Sequence, residues 1–122
     1  MRSFIITLSI FLVLLICIGM NYFFIHNVHD QMMIYSTSLA LNPCEENQLI
    51  ILEAQKYWNS KITLIYLSLS NKDVTEISNC IDAVLASNRC EDEVELNINI
   101  EKLKNAVQSI IRLEKFQIDN IL

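Results

Sequence analysis

An uncharged apolar run near the N-terminus constrains this chain more than any other feature. No charged side chain occurs from Ser3 to Ile25. As an α-helix this run would be about 34 Å long, enough to cross a bilayer core that is about 30 Å thick. A helix satisfies its own backbone hydrogen bonds, which lipid requires. We therefore predict that residues 1–29 form a transmembrane anchor.

The charges around the run predict its orientation. Arg2 precedes it, and the next basic side chain is Lys56. All the acidic residues lie after residue 29. Because basic residues stay on the cytoplasmic side of a membrane, we expect a single-pass protein of the cell membrane with a cytoplasmic N-terminus and with residues 30–122 outside.

A cleaved signal peptide is the alternative interpretation of this segment. Cys17 and Gly19 are small residues with a spacing that a signal peptidase accepts. The apolar run continues past them to Ile25, however. That extra length favours an uncleaved anchor.

Residues 30–122 have the pattern of a small helical domain. The chain of 122 residues is 52 % hydrophobic and 19 % charged, and it contains one Gly and one Pro. So few turn-forming residues argue against a fold of many strands and exclude a Gly-rich phosphate loop. Three segments instead repeat apolar residues at helical spacing. These stripes are Ile51, Trp58, Ile62, Ile65 and Leu69; Val74, Ile77, Ile81, Val84 and Leu85; and Leu96, Ile100, Leu103, Val107 and Ile110.

Capping patterns accompany the stripes. Asn or Ser followed three residues later by an acidic residue is typical of a helix N-terminus, and such patterns start at Asn42, Ser70 and Asn88. We therefore predict an all-α protein in which the N-terminal transmembrane helix continues into a small antiparallel helical bundle, residues 30–122. Trp58, in the middle of its stripe, is the expected core anchor.

One pair of segments also fits strands. Residues 94–100 alternate strictly between polar and apolar side chains, and residues 62–69 are rich in Ile, Leu and Tyr. They could pair as a short hairpin in an α+β fold. We favour helices because the helical spacing continues to Ile110 and a capping pattern precedes each segment.

Two polar clusters are candidate ligand sites. His26 and His29 stand three residues apart beside Asp30. That spacing suits a metal or haem, but no third ligand is evident, and polar aromatic residues are common at the headgroup boundary. The second cluster lacks the central Gly of a calcium loop and suits the first turn of a helix. It comprises Glu91, Asp92, Glu93 and Glu95.

Three cysteines follow the anchor, in a compartment where disulfides form. Cys80 should lie about two turns from the bend before the last helix, out of bonding reach of Cys90. Cys44 and Cys90 are expected in the first turns of two parallel helices, so they are the candidate disulfide. Three unpaired thiols are the alternative.

These residues point away from several functional classes. No Ser-His-Asp, Cys-His or paired-carboxylate arrangement stands out, so we predict that the protein is not an enzyme and uses no cofactor or metal. The net charge of −5 does not suit a nucleic-acid-binding protein. We predict a non-enzymatic accessory or protein-interaction module at the cell surface. The alternatives are a ligand-binding sensor ectodomain and a thiol-based redox or metal protein.

Four features occur together in this chain. They are the short N-terminal anchor, Trp58 in the middle of the second predicted helix, the acid-rich start of the last helix, and the ending from Gln117 to Leu122. Together they resemble a bacterial family, domain-of-unknown-function family 4363. The resemblance implies a small membrane-anchored helical protein of Firmicutes-like bacteria, and it supplies no catalytic or binding residues. It also implies a partner, an integral membrane protein of the YetF-like type.

Overall fold

The structure, a computed structural model, describes residues 1–67 and 69–121, and the side chains of residues 113–121 lie outside that description. It contains four helices: α1 (Arg2–Ser38), α2 (Glu45–Ile65), α3 (Asn71–Arg89) and α4 (Glu93–Ile121). The described residues form no strand. The prediction of an all-α protein is therefore confirmed. The side chains of the ending from Gln117 to Leu122 are not among those described.

The alternative α+β hairpin is wrong. Residues 62–65 belong to α2 and residues 94–100 to α4, while Ser68 lies outside the described residues. The strict alternation has a helical explanation, because two residues turn a helix by about 200°. Leu96 and Ile100 therefore face the core, whereas Val94 and Ile98 are exposed on the opposite side.

The four helices form an antiparallel bundle in which each helix packs against two neighbours. α1 and α3 each pack against both α2 and α4, and the pair α3–α4 makes the most extensive contact. Within the described residues, neither diagonal pair makes close backbone contacts. Because the connections are short, successive helices reverse direction. We call the end with residues 39–44 and 90–92 the distal end, and the end with residues 66–70 the proximal end.

The apolar stripes meet in the centre of the bundle. Trp58 is 1 % exposed, and its indole Nε1 donates a hydrogen bond to Ser78 Oγ on α3 at 2.8 Å. Ile62 and Leu69 are only half-buried, at the edge of the core. The fully buried stripe residues are Ile51 and Ile65 on α2; Val74, Ile77, Ile81 and Val84 on α3; and Leu96, Ile100, Leu103, Val107 and Ile110 on α4.

α1 changes its surroundings along its length. Every large apolar side chain from Phe4 to Phe23 is exposed, and the helix is long and apolar enough to cross a membrane. Ile25, Val28 and Met32 are instead buried in the bundle. The helix is continuous through this change, so the core includes residues that precede the predicted domain boundary after residue 29.

Of the three predicted capping patterns, one is confirmed and two are wrong. Ser70 is the N-cap of α3 as predicted: its Oγ accepts a hydrogen bond from the Asp73 N–H at 3.3 Å and donates one to Asp73 Oδ2 at 2.6 Å. The pattern at Asn42 is wrong, since α2 begins at Glu45 after Cys44. The pattern at Asn88 is also wrong, because this residue is buried inside α3.

The connection from α3 to α4 is a tight turn that uses other residues. Glu91 has a φ of 53°, in the left-handed region. Its N–H donates to the Asn88 carbonyl at 3.2 Å, and the Asp92 N–H donates to the Ser87 carbonyl at 3.1 Å. This pair of bonds is the Schellman pattern that ends many helices. Asp92 then caps α4, accepting a hydrogen bond from the Glu95 N–H at 3.1 Å.

Candidate functional site

Two buried asparagine side chains hold the distal end together. Asn47 Oδ1 accepts a hydrogen bond from the Ala40 N–H at 2.8 Å, and its Nδ2 donates to the carbonyls of Ala40 (2.8 Å) and Asn42 (3.1 Å). Asn88 Oδ1 accepts from the Cys44 N–H at 3.1 Å, and its Nδ2 donates to the Cys44 carbonyl at 2.8 Å. Both amides are thus committed to the connection between α1 and α2, which is a structural role.

The acidic cluster is exposed around these amides at the distal end. Its four side chains are solvent-accessible, and Glu93 and Glu95 lie in the first turn of α4, where the helix dipole favours negative charge. Glu45 and Glu46, in the first turn of α2, add negative charge to the same end. No three His, Cys, Asp or Glu side chains gather into a metal-binding group in the part of the chain that the structure describes.

Exposed apolar side chains accompany this negative charge. Leu41 lies in the connection between α1 and α2, and Val94 lies in the first turn of α4; both are exposed. The distal end therefore combines apolar contact area with a negatively charged rim. Such a surface suits a protein partner that offers apolar and basic side chains.

The two histidines lie on α1 where the exposed apolar segment gives way to the bundle. The His26 ring packs against Tyr22, with ring centroids 4.2 Å apart. His29 Nδ1 lies 3.1 Å from Asp30 Oδ1. Each ring thus has a local partner on α1 itself.

All four cysteines are free thiols in the structure. The sequence analysis expected Cys90 in the first turn of α4. In the structure it is instead the C-cap of α3. The hydrogen bonds between Asn88 and Cys44 nevertheless bring Cys44 to the end of α3, two residues before Cys90. The Cys44–Cys90 disulfide stays a prediction.

An open groove of about 1280 Å³ runs between α3 and α4. Most of the residues that line it are polar or charged, including the basic residues Lys72, Lys102 and Arg112 as well as Asn79 and Asn105. Acidic residues of α3 also line it. The groove offers mixed charges and amide groups along one side of the bundle.

Cys80 lies in this groove but is poorly placed for thiol chemistry. Burial raises the pKa of its thiol, and the nearby carboxylate of Glu76 raises it further, against a smaller opposite effect of Lys102. A raised pKa keeps the thiol protonated at neutral pH, whereas redox and nucleophilic cysteines need a lowered one. The raised pKa therefore argues against Cys80 as a redox or nucleophilic cysteine.

The sequence analysis missed an apolar turn at the proximal end. Leu64, Tyr66 and Leu67 are all exposed, and we call them the proximal turn. Leu67 is 83 % exposed, more than any other large apolar side chain described after residue 23. Three large apolar residues within the six positions before the Ser70 cap were the signal, since turns are normally polar.

Three surfaces outside the apolar segment of α1 are thus candidates for function: the acidic distal end, the α3–α4 groove and the proximal turn. Comparison of the chain with protein family models, with curated proteins and with solved structures gives no match.

Proposed function

We propose that this protein is a single-pass, membrane-anchored helical bundle that acts without catalysis as a protein-interaction module at the bacterial cell surface. The observation that carries the proposal is the division of α1. One continuous helix exposes apolar side chains all round up to Phe23 and buries one face in the bundle from Ile25 onward. A helix that is apolar on every side suits lipid, so the proposed anchor continues into the bundle without a break in the helix.

The position of the polar groups supports a non-enzymatic role. Asn47 and Asn88 hydrogen-bond to backbone groups of the α1–α2 connection. His26 and His29 lie beside the apolar segment, and the raised pKa of Cys80 disfavours its thiolate. The acidic distal end is the proposed partner surface. It points away from the membrane because α1 enters the membrane at the proximal end.

The family resemblance supports the remaining parts of the proposal. It favours a bacterial origin and a YetF-like integral membrane protein as the partner.

Arg2 before the apolar run and the acidic residues after it favour a cytoplasmic N-terminus. If a tag is fused to the C-terminus of the chain, protease added outside intact cells should remove the tag. Cleavage of the tag only after lysis would refute this orientation.

Alkaline extraction of membranes tests the anchor. The wild-type chain should stay in the membrane pellet, and mass spectrometry should find it uncleaved. Replacing both Leu12 and Leu15 by Arg should release it, since each charge at the centre of a membrane helix costs about 3 kcal/mol. Leu49→Arg, on the exposed face of α2, is the control that should stay in the pellet. Extraction of the wild type would refute the proposal.

Crosslinking in native membranes tests the interaction. A stoichiometric integral membrane partner should be recovered with the wild-type chain, and Val94→Asp should weaken its recovery. Leu52→Asp is the control, because Leu52 is also an exposed apolar residue but lies about two turns into α2, outside the distal end. Failure to recover any stoichiometric partner would count against the interaction role.

A ligand-binding sensor ectodomain is the second candidate function, favoured by the α3–α4 groove. Lys72, Lys102 and Arg112 in its lining would suit a small organic anion. Small carboxylates should then raise the melting temperature of the wild type, and Lys102→Ala should abolish the shift. Lys56→Ala, an exposed lysine outside the groove, should keep it. No shift with any carboxylate would remove this candidate.

A further inference from the structure

The proximal turn is an exposed apolar surface that the proposed function does not use. Leu64 and Tyr66 flank the buried Ile65, and Leu67 follows them. The N–H groups of Tyr66 and Leu69 donate hydrogen bonds to the carbonyls of Ile62 and Ile65 at 2.9 Å each. The three apolar side chains thus project outward next to backbone groups that are hydrogen-bonded to the end of α2.

The alignment of α1 against α2 determines where this turn lies along the axis of the bundle. The rings of Tyr35 and Tyr57 lie 6.0 Å apart, so these two residues are neighbours across the α1–α2 contact and lie at similar levels of the bundle. The antiparallel helices run from there toward the proximal end, α1 backward to Ile25 and α2 forward to Leu67. Ten residues in each direction correspond to about 15 Å of helix. Leu67 therefore lies close to the level of Ile25, where the exposed apolar segment of α1 ends.

The distribution of charge agrees with this placement. Lys61 and Lys72 flank the proximal turn, with the Lys61 Nζ 5.9 Å from the centre of the Tyr57 ring. Asp73, the acidic residue next to the turn, is engaged in the Ser70 cap. The acidic cluster lies at the opposite end. Basic side chains beside an apolar turn suit the surface of a membrane that contains anionic lipids, and a tyrosine suits its interface.

We propose that the proximal turn inserts into the interface of the membrane that α1 crosses, so that the bundle stands on two contacts. This inference rests on the proposed function, because the turn lies at the membrane surface only if α1 spans it. The occupant of the apolar turn is lipid. The second contact would limit tilting of the bundle about α1 and keep the distal end directed away from the membrane.

Tryptophan quenching by brominated lipid tests the insertion. The full chain is reconstituted in vesicles of phosphatidylcholine and phosphatidylglycerol, with or without bromine on the acyl chains. Leu67→Trp reports on the proximal turn. Leu49→Trp is the matched control, because Leu49 is 67 % exposed on α2, the helix that precedes the turn, but lies near the distal end. Phe11→Trp reports on the apolar segment, and the wild type supplies the baseline from buried Trp58.

We expect Leu67→Trp to lose about half of its added emission in brominated vesicles, since interfacial side chains reach about 5–10 Å into the headgroup and acyl boundary. Leu49→Trp should lose none, and Phe11→Trp should lose most. If Phe11→Trp is quenched but Leu67→Trp is not, the inserted turn is refuted while the anchor stands. Equal quenching of Leu49→Trp and Leu67→Trp would also refute it, because the bundle would then lie on its side. Absence of quenching at Phe11→Trp would refute the anchor and this inference with it.

Discussion

The two segments of α1 differ in how their apolar side chains are arranged. From Phe4 to Phe23 the large apolar residues point in all directions and contact no other part of the bundle closely enough to be buried. From Ile25 onward the buried residues are Ile25, Val28, Met32 and Ser36, at spacings of three and four. These spacings trace one face of a helix.

The difference teaches what each environment demands of a helix. Lipid surrounds a helix on all sides and requires apolar residues without any period. A protein core lies on one side only, so it selects one face and leaves the other free to be polar. The transition occurs between Phe23 and Ile25 within an unbroken helix. Four changes test this division, beginning with the one of largest expected effect.

The core that holds the packed segment depends on Trp58. Trp58→Ala should lower the free energy of unfolding by about 3–5 kcal/mol, because it leaves a large cavity, and it also leaves Ser78 Oγ without the indole donor. Urea denaturation of the full chain in mild detergent measures this loss. Glu93→Ala, at an exposed position, should change the free energy by less than about 0.5 kcal/mol. Equal unfolding midpoints for the two variants would contradict the packing described here.

A matched pair on α1 tests the comparison most directly. Ile25 is 1 % exposed and Ile18 is 49 % exposed on the same helix. Ile25→Ala should destabilise the bundle by about 2–5 kcal/mol, because it removes buried methyl groups from a packed core. Ile18→Ala should change the stability of the bundle by less than about 0.5 kcal/mol. The same denaturation series measures both, and similar losses would mean that the packed segment does not begin at Ile25.

The end of the packed segment depends on the Asn47 amide. Asn47→Ala leaves the backbone groups of Ala40 and Asn42 without their hydrogen-bond partner, and such losses cost about 1–3 kcal/mol. Thermal unfolding followed by circular dichroism gives the effect. Asn105→Ala, at an exposed position in the α3–α4 groove, serves as the control with little expected change. A stable Asn47 variant would show that the connection holds its shape without the amide.

The smallest expected effect is alkaline weakening of the contact between α1 and α2. Burial raises the pKa of Tyr57 above its ordinary value of 10.0, and Tyr35 raises it further. The folded state therefore binds the phenolic proton more tightly than the unfolded state, so this contribution is complete below pH 10 and is lost as the pH rises through the folded pKa. Tyr57→Phe should flatten the decline of stability above pH 10, measured by urea denaturation. If stability declines above pH 10 in Tyr57→Phe as it does in the wild type, the decline comes from the ionisation of other groups.

The helices could be predicted because their signals are local. The stripe on α3 and its Ser70 cap depend on residues within four positions of one another, and both are present as predicted. The alternation in residues 94–100 was the ambiguous signal. Its outcome depended on the core, which takes up Leu96 and Ile100 while leaving Val94 and Ile98 in solvent.

The candidate surfaces were harder to predict, because their roles depend on distant contacts. Asn88 has the local pattern of a cap, yet its amide binds the backbone of Cys44, 44 residues earlier. Leu67 is an apolar residue in a turn, and its placement close to the level of Ile25 follows only from the contact between Tyr35 and Tyr57. The periodicity of the neighbouring sequence predicts neither the contact of Asn88 with Cys44 nor the placement of Leu67.

The sequence by itself determined that the chain is helical, where its apolar run lies and which face of each later helix is apolar. These properties follow from composition, period and capping, which act over a few residues. Only the tertiary structure decided that α1 packs between α2 and α4, that burial begins at Ile25 and that the apolar side chains of the proximal turn stay exposed. The physical reason is that an apolar face specifies only that it must be buried, whereas the complementary fit of whole helices selects its partner and register.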